Sequence, residues 1–398
     1  MQIVEGEGGV TAVSGFMACG ISCGVKKNGR PDLSLLYSEK PCTAAGVFTK
    51  NRFQAAPLLL DKRHLRTKKG QAIIINSGNA NAYTGDVGLR DAEAMAEATA
   101  KALGIPTTSV YVASTGVIGE PLPIDRIISA IPILAARLSP SGGHAAAEAM
   151  ITTDTFTKEV IVSGQIGGAM VRIGGMAKGS GMIHPNMATM LAFLTTDAAL
   201  SQAHLQAALR EAVGSTFNCI TVDGETSTND MVLCLAREGG VVVQNSANDR
   251  RFVALLQAAC LSLAKMIVQD GEGATKRIEL EVKGAPDHHD AKRVAMTIAK
   301  SLLVKTAFFG EDANWGRIVA AIGNAGVRTD ASKIDLTVGE VPLVRRGVYL
   351  GAEKEIAPLL QQREIQLTVH LHNGWGTATV WTSDLSAEYV RINASYRT

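Results

Sequence analysis

The chain has 398 residues, a formal net charge of +2, 5% aromatic residues, 40 glycines and six cysteines. That length can fill a sizeable core in two domains or one two-lobed unit, and the balanced charge lacks the basic bias of a nucleic-acid binder. The amino terminus has neither a basic leader nor a continuous apolar core, and no uncharged apolar run approaches a membrane span. Cys19, Cys23, Cys42, Cys219, Cys234 and Cys260 lack the paired CxxC spacing of a zinc site. The expectation is a protein of the reducing cytoplasm, without a membrane anchor or disulfide scaffold.

Taken in order, Ala55 to Leu60, Ala72 to Asn76 and Val110 to Ala113 read as strands, and Ala92 to Leu103 and Ile124 to Leu138 carry helical apolar spacing. The basic run Lys62 to Lys69 reads as a solvated turn bridging two strands rather than a polyanion patch. Phe156 to Gly164, Ala169 to Ile173 and Met190 to Leu194 are strand candidates, followed by a helix from Ser201 to Ala212 and a strand at Cys219 to Val222. Met231 to Ala236 and Gly240 to Val243 suggest two more strands before a long helix between Asp249 and Val268. A helix from about Ala291 to Leu303 precedes the Gly310 to Gly316 loop. Ile334 to Val338, Val348 to Leu350, Ile365 to His372 and Thr377 to Trp381 read as β, with a lobe division near 273–286.

The most informative stretch is Lys178-Gly179-Ser180-Gly181-Met182-Ile183-His184-Pro185-Asn186-Met187-Ala188-Thr189, a glycine-rich approach to one threonine that an apolar run follows. Breaking the Ala188-Thr189 bond would place a primary amine beside the Thr189 hydroxyl, so that one residue supplies both nucleophile and general base. His184 lies five residues earlier and is a weaker candidate base, since the freed amine makes a second one unnecessary. The lysine-glycine run lacks the order of a phosphate-binding loop.

Several blocks in one order carry a resemblance. They are Ala44-Ala45-Gly46-Val47-Phe48-Thr49, Asn76-Ser77-Gly78-Asn79-Ala80-Asn81-Ala82, Ser114-Thr115-Gly116-Val117-Ile118-Gly119, the Lys178 to Leu191 stretch, and Asn393-Ala394-Ser395-Tyr396. Together they resemble the ArgJ family, the ornithine acetyltransferases also called glutamate N-acetyltransferases, over essentially the whole chain. The resemblance implies an α/β fold: a DmpA/ArgJ-like layered αββα sandwich with a smaller C-terminal α/β region. It also implies autoprocessing into an alpha chain, 1–188, and a beta chain, 189–398, associated as a heterotetramer with two copies of each.

The resemblance further implies roles for particular residues. Thr189 is the acetyl-accepting nucleophile, and Thr115 and Gly116 stabilise the oxyanion, a task that rewards fixed donors. Thr152, Lys178, Glu272, Asn393 and Thr398 contact substrate, with Lys178 suited to a carboxylate and Glu272 to an amino group. Strand alternation would turn Thr153 and Thr155 away from Thr152. The Thr226 to Asp230 run is explained by turn capping, and the acids of the Gly310 to Arg317 block do not define a metal site. Tyr83 stands where many relatives carry cysteine.

The implied reaction moves acetyl from N2-acetyl-L-ornithine to L-glutamate through acetyl-Thr189, with no bound cofactor or metal. Acetyl-CoA is a further donor if the enzyme is bifunctional; the alternative is a monofunctional ornithine acetyltransferase. More distant readings are an amino-terminal-threonine amidohydrolase or peptidase and a noncatalytic ligand-binding protein.

Overall fold

The computed structural model describes residues 1–5, 8–184, 190–243 and 246–395, the side chains of 246–248 excepted. Its larger sheet is organised by one long strand, Leu33–Phe48. The first part of that strand pairs antiparallel with Lys69–Asn79, Leu33 facing Asn76 and Tyr37 facing Ala72. The last part pairs antiparallel with Met231–Val242, Cys42 facing Arg237 and Phe48 facing Met231. Between these stretches the register slips, a device by which strands bend. The long strand therefore belongs to two layers.

Side-chain alternation shows how the layers stack. From strand Lys69–Asn79, Ile73 and Ile75 share one apolar cluster with Phe193, Leu233 and Leu235 of the other limb. Their neighbours Ala72 and Ile74 point outward, toward Met95 of helix Gly85–Leu103 and Ile131 of helix Ile124–Ala136. On the far side, Leu194, Val232 and Cys234 pack with Leu209 of helix Gln202–Ser215 and Leu256 and Leu263 of helix Ser246–Gln269. The order helix, sheet, sheet, helix is the αββα sandwich.

A smaller seven-stranded sheet begins at Arg277 and takes one short strand, Ile220–Thr221, from earlier in the chain. Ile278, Leu280 and Val282 of its strand Arg277–Ala285 pack with Val294 and Ile298 of helix His288–Lys300. Helix Ser246–Gln269 is long and apolar enough to match a membrane span, yet Phe252, Leu256, Ala259, Leu263 and Ile267 are buried in the core. Packing against the sheet explains its composition.

Four expectations are corrected. Ala55 to Leu60 is not a strand: helix Ala56–His64 begins there, with Pro57 in its first turn, and Leu58, Asp61 and His64 form its buried face at helical spacing. Lys62, Arg63 and His64 of the basic run are consequently helical, Leu65–Thr67 form a 3-10 turn, and Lys69 opens a strand, so the run is not a turn between strands. Met231 to Val243 is one strand, Met231–Val242, not two: its pairing with strand Leu191–Ala199 continues across a register shift between Ala236 and Val241, where Gly240 lies close against the Asp197 carbonyl. The helix expected to Leu303 stops at Lys300; Ser301 then caps a new helix, Leu302–Phe309, by accepting the Val304 N–H.

Two consequences are measurable. Phe193 is fully buried between the sheet layers, so Phe193→Ala should cost about 3–5 kcal/mol, read as a lower urea midpoint. Asp61 is buried; its Oδ1 accepts the Val112 N–H at 2.9 Å and its Oδ2 has no partner among the described residues. Burial pushes this carboxyl well above its ordinary value, so its contribution is full below the ordinary carboxylate range and is lost as pH rises toward the folded value. Asp61→Asn should therefore gain on the wild type between pH 5 and pH 8; a constant gap in urea midpoint would contradict this burial effect.

Candidate active site

Parallel strands Lys69–Asn79 and Val110–Val117 end side by side, Ser77 beside Thr115 and Gly78 beside Gly116. The carboxyl edge of parallel strands is where α/β proteins commonly place ligands. Gly116 has φ +132°, and a Cβ there would fall 2.3 Å from the Gly78 carbonyl carbon. Only glycine suits that approach. Thr115 and Gly116 consequently stand at the edge of a cleft of about 900 Å³, its open mouth included, together with Thr152, Lys178, Glu272 and Asn393.

Lys178 is buried and donates from Nζ to Thr152 Oγ1 at 2.8 Å and to Thr115 Oγ1 at 3.3 Å. Each hydroxyl accepts from the ammonium and keeps its own proton for another acceptor. Burial lowers the Lys178 pKa, opposed chiefly by Asp154, whose Oδ2 lies 3.9 Å away. Asp154 accepts the Gly179 N–H at 2.7 Å and pairs with Lys158 at 2.7 Å. Burial alone would raise the Asp154 carboxyl, but the Lys158 and Lys178 ammonium groups hold it well below its usual range.

Lys158 also reaches Asp270 Oδ2 at 2.5 Å, and Asp270 accepts the Thr155 N–H. Two residues on, the buried Glu272 accepts from Asn393 Nδ2 at 2.8 Å, while its own N–H donates to Ser180 O at 2.9 Å. Gly181 makes room for this acid: a Cβ there would lie 2.4 Å from the Glu272 carboxyl. An ammonium and a carboxylate thus lie in one cleft, each hydrogen-bonded to neutral side chains.

The glycine-rich approach is held by Asp223, which accepts the Met182 N–H at 2.6 Å and the Ile183 N–H at 2.9 Å. The Val222 N–H donates to Ile183 O at 2.7 Å, and Thr226 Oγ1 donates to His184 O at 3.0 Å. Beyond the junction, Met190 O accepts the Met231 N–H at 3.1 Å. Ile183 and Met190 both line the cleft. Ala188 and Thr189 between them, and Thr398 at the end of the chain, lie outside the described residues.

Several expectations change here. Thr152 and Thr153 both line the cleft, because residues 151–157 are bends rather than a strand; Thr153 Oγ1 meets Ser180 Oγ at 2.7 Å. The 226–230 run does more than cap a turn. Ser227, Asn229 and Asp230 line the cleft, and Asn229 Nδ2 donates to Ala80 O and Ser114 O at 2.5 and 2.8 Å. Burial raises the Asp230 carboxyl well above its ordinary value, with hydrogen bonding from Ser227 and the Lys178 charge opposing.

His184 is pulled down to about 4 by burial and by Lys300 and Lys292, so it is neutral at neutral pH. The Gly310 to Arg317 block starts helix Trp315–Asn324, Asn314 capping it through the Arg317 N–H. Tyr83 is exposed against Phe53, with ring centroids 5.6 Å apart. Asp154, Lys158, Asp223, Asp270 and Tyr389 were missed by sequence reasoning. Their spacing gave little signal, because the contacts that bring them to the cleft come from distant chain: Asp154 to Gly179, Lys158 to Asp270, Asp223 to Met182 and Ile183, and the Tyr389 hydroxyl to Asp223 at 3.4 Å.

The ArgJ family model matches residues 17–398. The arginine biosynthesis bifunctional protein ArgJ of Symbiobacterium thermophilum is 52% identical over 397 residues, covering 98% of this chain and 99% of that one. Its namesake in Syntrophotalea carbinolica is 50% identical over 392 residues, covering 97% and 99%. Among solved structures, ArgJ of Bacillus halodurans is 45% identical, covers 47% of this chain and 98% of its own, and has a TM-score of 0.44. An ornithine acetyltransferase from Mycobacterium tuberculosis, complexed with ornithine, is 39% identical, covers 47% of this chain and 100% of its own, and has a TM-score of 0.43. With Thr115, Gly116, Lys178, Glu272 and Asn393 gathered in one cleft and its length matched almost end to end, the chain belongs to the ArgJ family.

Proposed function

We propose that this chain carries acetyl from N2-acetyl-L-ornithine to L-glutamate through an ester on Thr189, and accepts acetyl from acetyl-CoA as well. The observation that supports this reading most is the cleft. It collects Thr115, Gly116, Lys178, Glu272 and Asn393 beside Ile183 and Met190, which flank the Thr189 segment. The bifunctional naming of the relatives favours two acetyl donors over one.

In the first half-reaction the Thr189 hydroxyl attacks the acetamide carbon, and its proton passes to the Thr189 amine. Negative charge gathers on the carbonyl oxygen, where Thr115 and Gly116 serve as fixed donors. The Lys178 hydrogen bond helps orient the Thr115 hydroxyl for this task. The amine returns the proton to the departing α-nitrogen, the C–N bond breaks, and ornithine leaves. In the second half, the neutral α-amine of glutamate attacks the acetyl ester; Thr189 Oγ regains a proton as N-acetyl-L-glutamate departs.

Lys178 and Glu272 supply opposite charges for zwitterionic substrates, and Thr152, Asn393 and Thr398 complete the substrate contacts. The chemistry as written draws on these side chains and the two substrates, with no bound cofactor or metal. The nucleophile arises when the chain cleaves itself between Ala188 and Thr189, and two copies of each product assemble in the cytoplasm.

Intact-mass measurement under denaturing conditions should find residues 1–188 and 189–398 as separate species in the wild type, but one full-length species for Thr189→Ala. An uncleaved, folded wild type would remove the amino-terminal nucleophile from the mechanism. In fully processed enzyme, Thr115→Ala should lower kcat by about 10²–10³ through loss of one oxyanion donor. An unchanged kcat with a higher KM would reassign Thr115 to substrate binding.

A further inference from the structure

Helices His288–Lys300 and Trp315–Asn324 pack beside one another and leave a surface groove near the rim of the cleft. Thr297, Lys300 and Ser301 line one side of it, and Arg317 and Asn324 the other. The connection to the cleft is local: Lys300 Cδ lies 3.6 Å from where a Cβ on Gly224 would stand, and Asp223 and Glu225, on either side of Gly224, both line the cleft.

The charge of this groove is one-sided. No carboxylate lines it, and none belonging to a described residue lies within ion-pair distance of Lys300 or Arg317. Lys300 is exposed; Arg317 is half-buried and anchored through Nη1 to Leu303 O at 2.9 Å and Thr306 Oγ1 at 3.3 Å. A guanidinium held in this way presents a prepositioned charge to an anion. Ser301 caps the helix Leu302–Phe309 at the groove edge, adding the positive end of a helix dipole. Leu303 is 60% exposed on the same edge and offers an apolar wall. Cations, hydroxyls and an apolar wall beside an acyl-transfer cleft fit a long acyl donor that carries phosphates at its far end.

We propose that this groove holds the phosphate-bearing nucleotide end of acetyl-CoA, with Lys300 and Arg317 as its cationic contacts, while the pantetheine arm runs past Gly224 to bring the thioester into the cleft. This rests on the two-donor reading above. The thioester then enters the same chemistry: the Thr189 hydroxyl attacks the acetyl carbon, the C–S bond breaks, and the thiol leaves with the proton that the hydroxyl surrendered. Acetylornithine has no phosphates, so the groove takes no part in the exchange between amino acids.

The test compares processed wild type with Lys300→Glu in three assays, each with glutamate as acceptor and with acetyl-CoA, acetyl-pantetheine or acetylornithine as donor. The exposed position of Lys300 makes this variant tolerable to the fold, and Lys300→Ala serves as a milder second variant. Lys300→Glu should raise KM for acetyl-CoA about tenfold, an effect that shrinks at high salt, as expected for a charge contact at a rim. It should leave the acetyl-pantetheine and acetylornithine reactions unchanged. Equal acetyl-CoA KM values in wild type and both variants would overturn the groove assignment, as would a parallel rise for acetyl-pantetheine. A wild type that exchanges acetylornithine but ignores acetyl-CoA would overturn the assignment and leave the ornithine reaction standing, whereas failure with every donor would sink the reading of the cleft itself.

Discussion

The buried Lys158 ammonium, 2.7 Å from Asp154 and 2.5 Å from Asp270, is the interaction on which the cleft depends. Charges so enclosed are tolerated only with close partners, and removing one partner leaves an uncompensated charge inside the protein. Desolvation offsets much of the attraction in such a cluster, so its consequence is fixed geometry more than net stability. Asp154 follows Thr152 and Thr153 and also accepts the Gly179 N–H; Asp270 precedes Glu272 by two residues. Three distant stretches of chain are therefore registered against one another by a single group of charges.

That cluster bears on the proposed cleavage. Asp154, Lys158 and Lys178 precede the Ala188-Thr189 junction, and Asp270 and Glu272 follow it. Strand Leu191–Ala199 pairs with Ala169–Lys178, and strand Met231–Val242 pairs with Leu33–Phe48, so the two fragments would share a continuous sheet. Cutting the backbone would leave the hydrogen bonds across these strands and the buried ion pairs in place. Association of the two fragments after the proposed cleavage would then need no contact beyond those of the fold.

Much of the site was legible because it is written in short blocks. Thr115-Gly116 and the Lys178-Gly179-Ser180-Gly181 run are legible through the family resemblance, since taken alone they read as an ordinary turn and a solvated lysine; the structure adds that Gly116 and Gly181 are places where backbone or acid approaches closely. Strands with β-branched runs, such as Ala72 to Asn76, were equally plain. The failures share a cause. Ala55 to Leu60 is apolar enough for either a strand or a helix, and the deciding contact is Asp61 on the Val112 N–H, 51 residues away. Strand Leu33–Phe48 escaped notice because its polar residues Ser34 and Ser38 are buried by the layers that fold over it. Asp223 and Asp230 look like turn acids until the structure sets them against the cleft.

The proposed reaction also explains why one rigid cleft could serve two substrates that differ in charge. In acetylornithine and in acetylglutamate the acetyl group sits on the α-nitrogen, at the same distance from the α-carboxylate. A cleft that fixes the amino-acid backbone presents the same carbonyl to Thr115 and Gly116 in both half-reactions, so the oxyanion donors need not move. What differs is the side chain, cationic in one substrate and anionic in the other. In the proposed reaction Glu272, held by Asn393, and Lys178, held by two threonine hydroxyls, would answer these opposite charges. Fixed dipoles that require no rearrangement between half-reactions are the economical arrangement for an acyl transfer run in both directions.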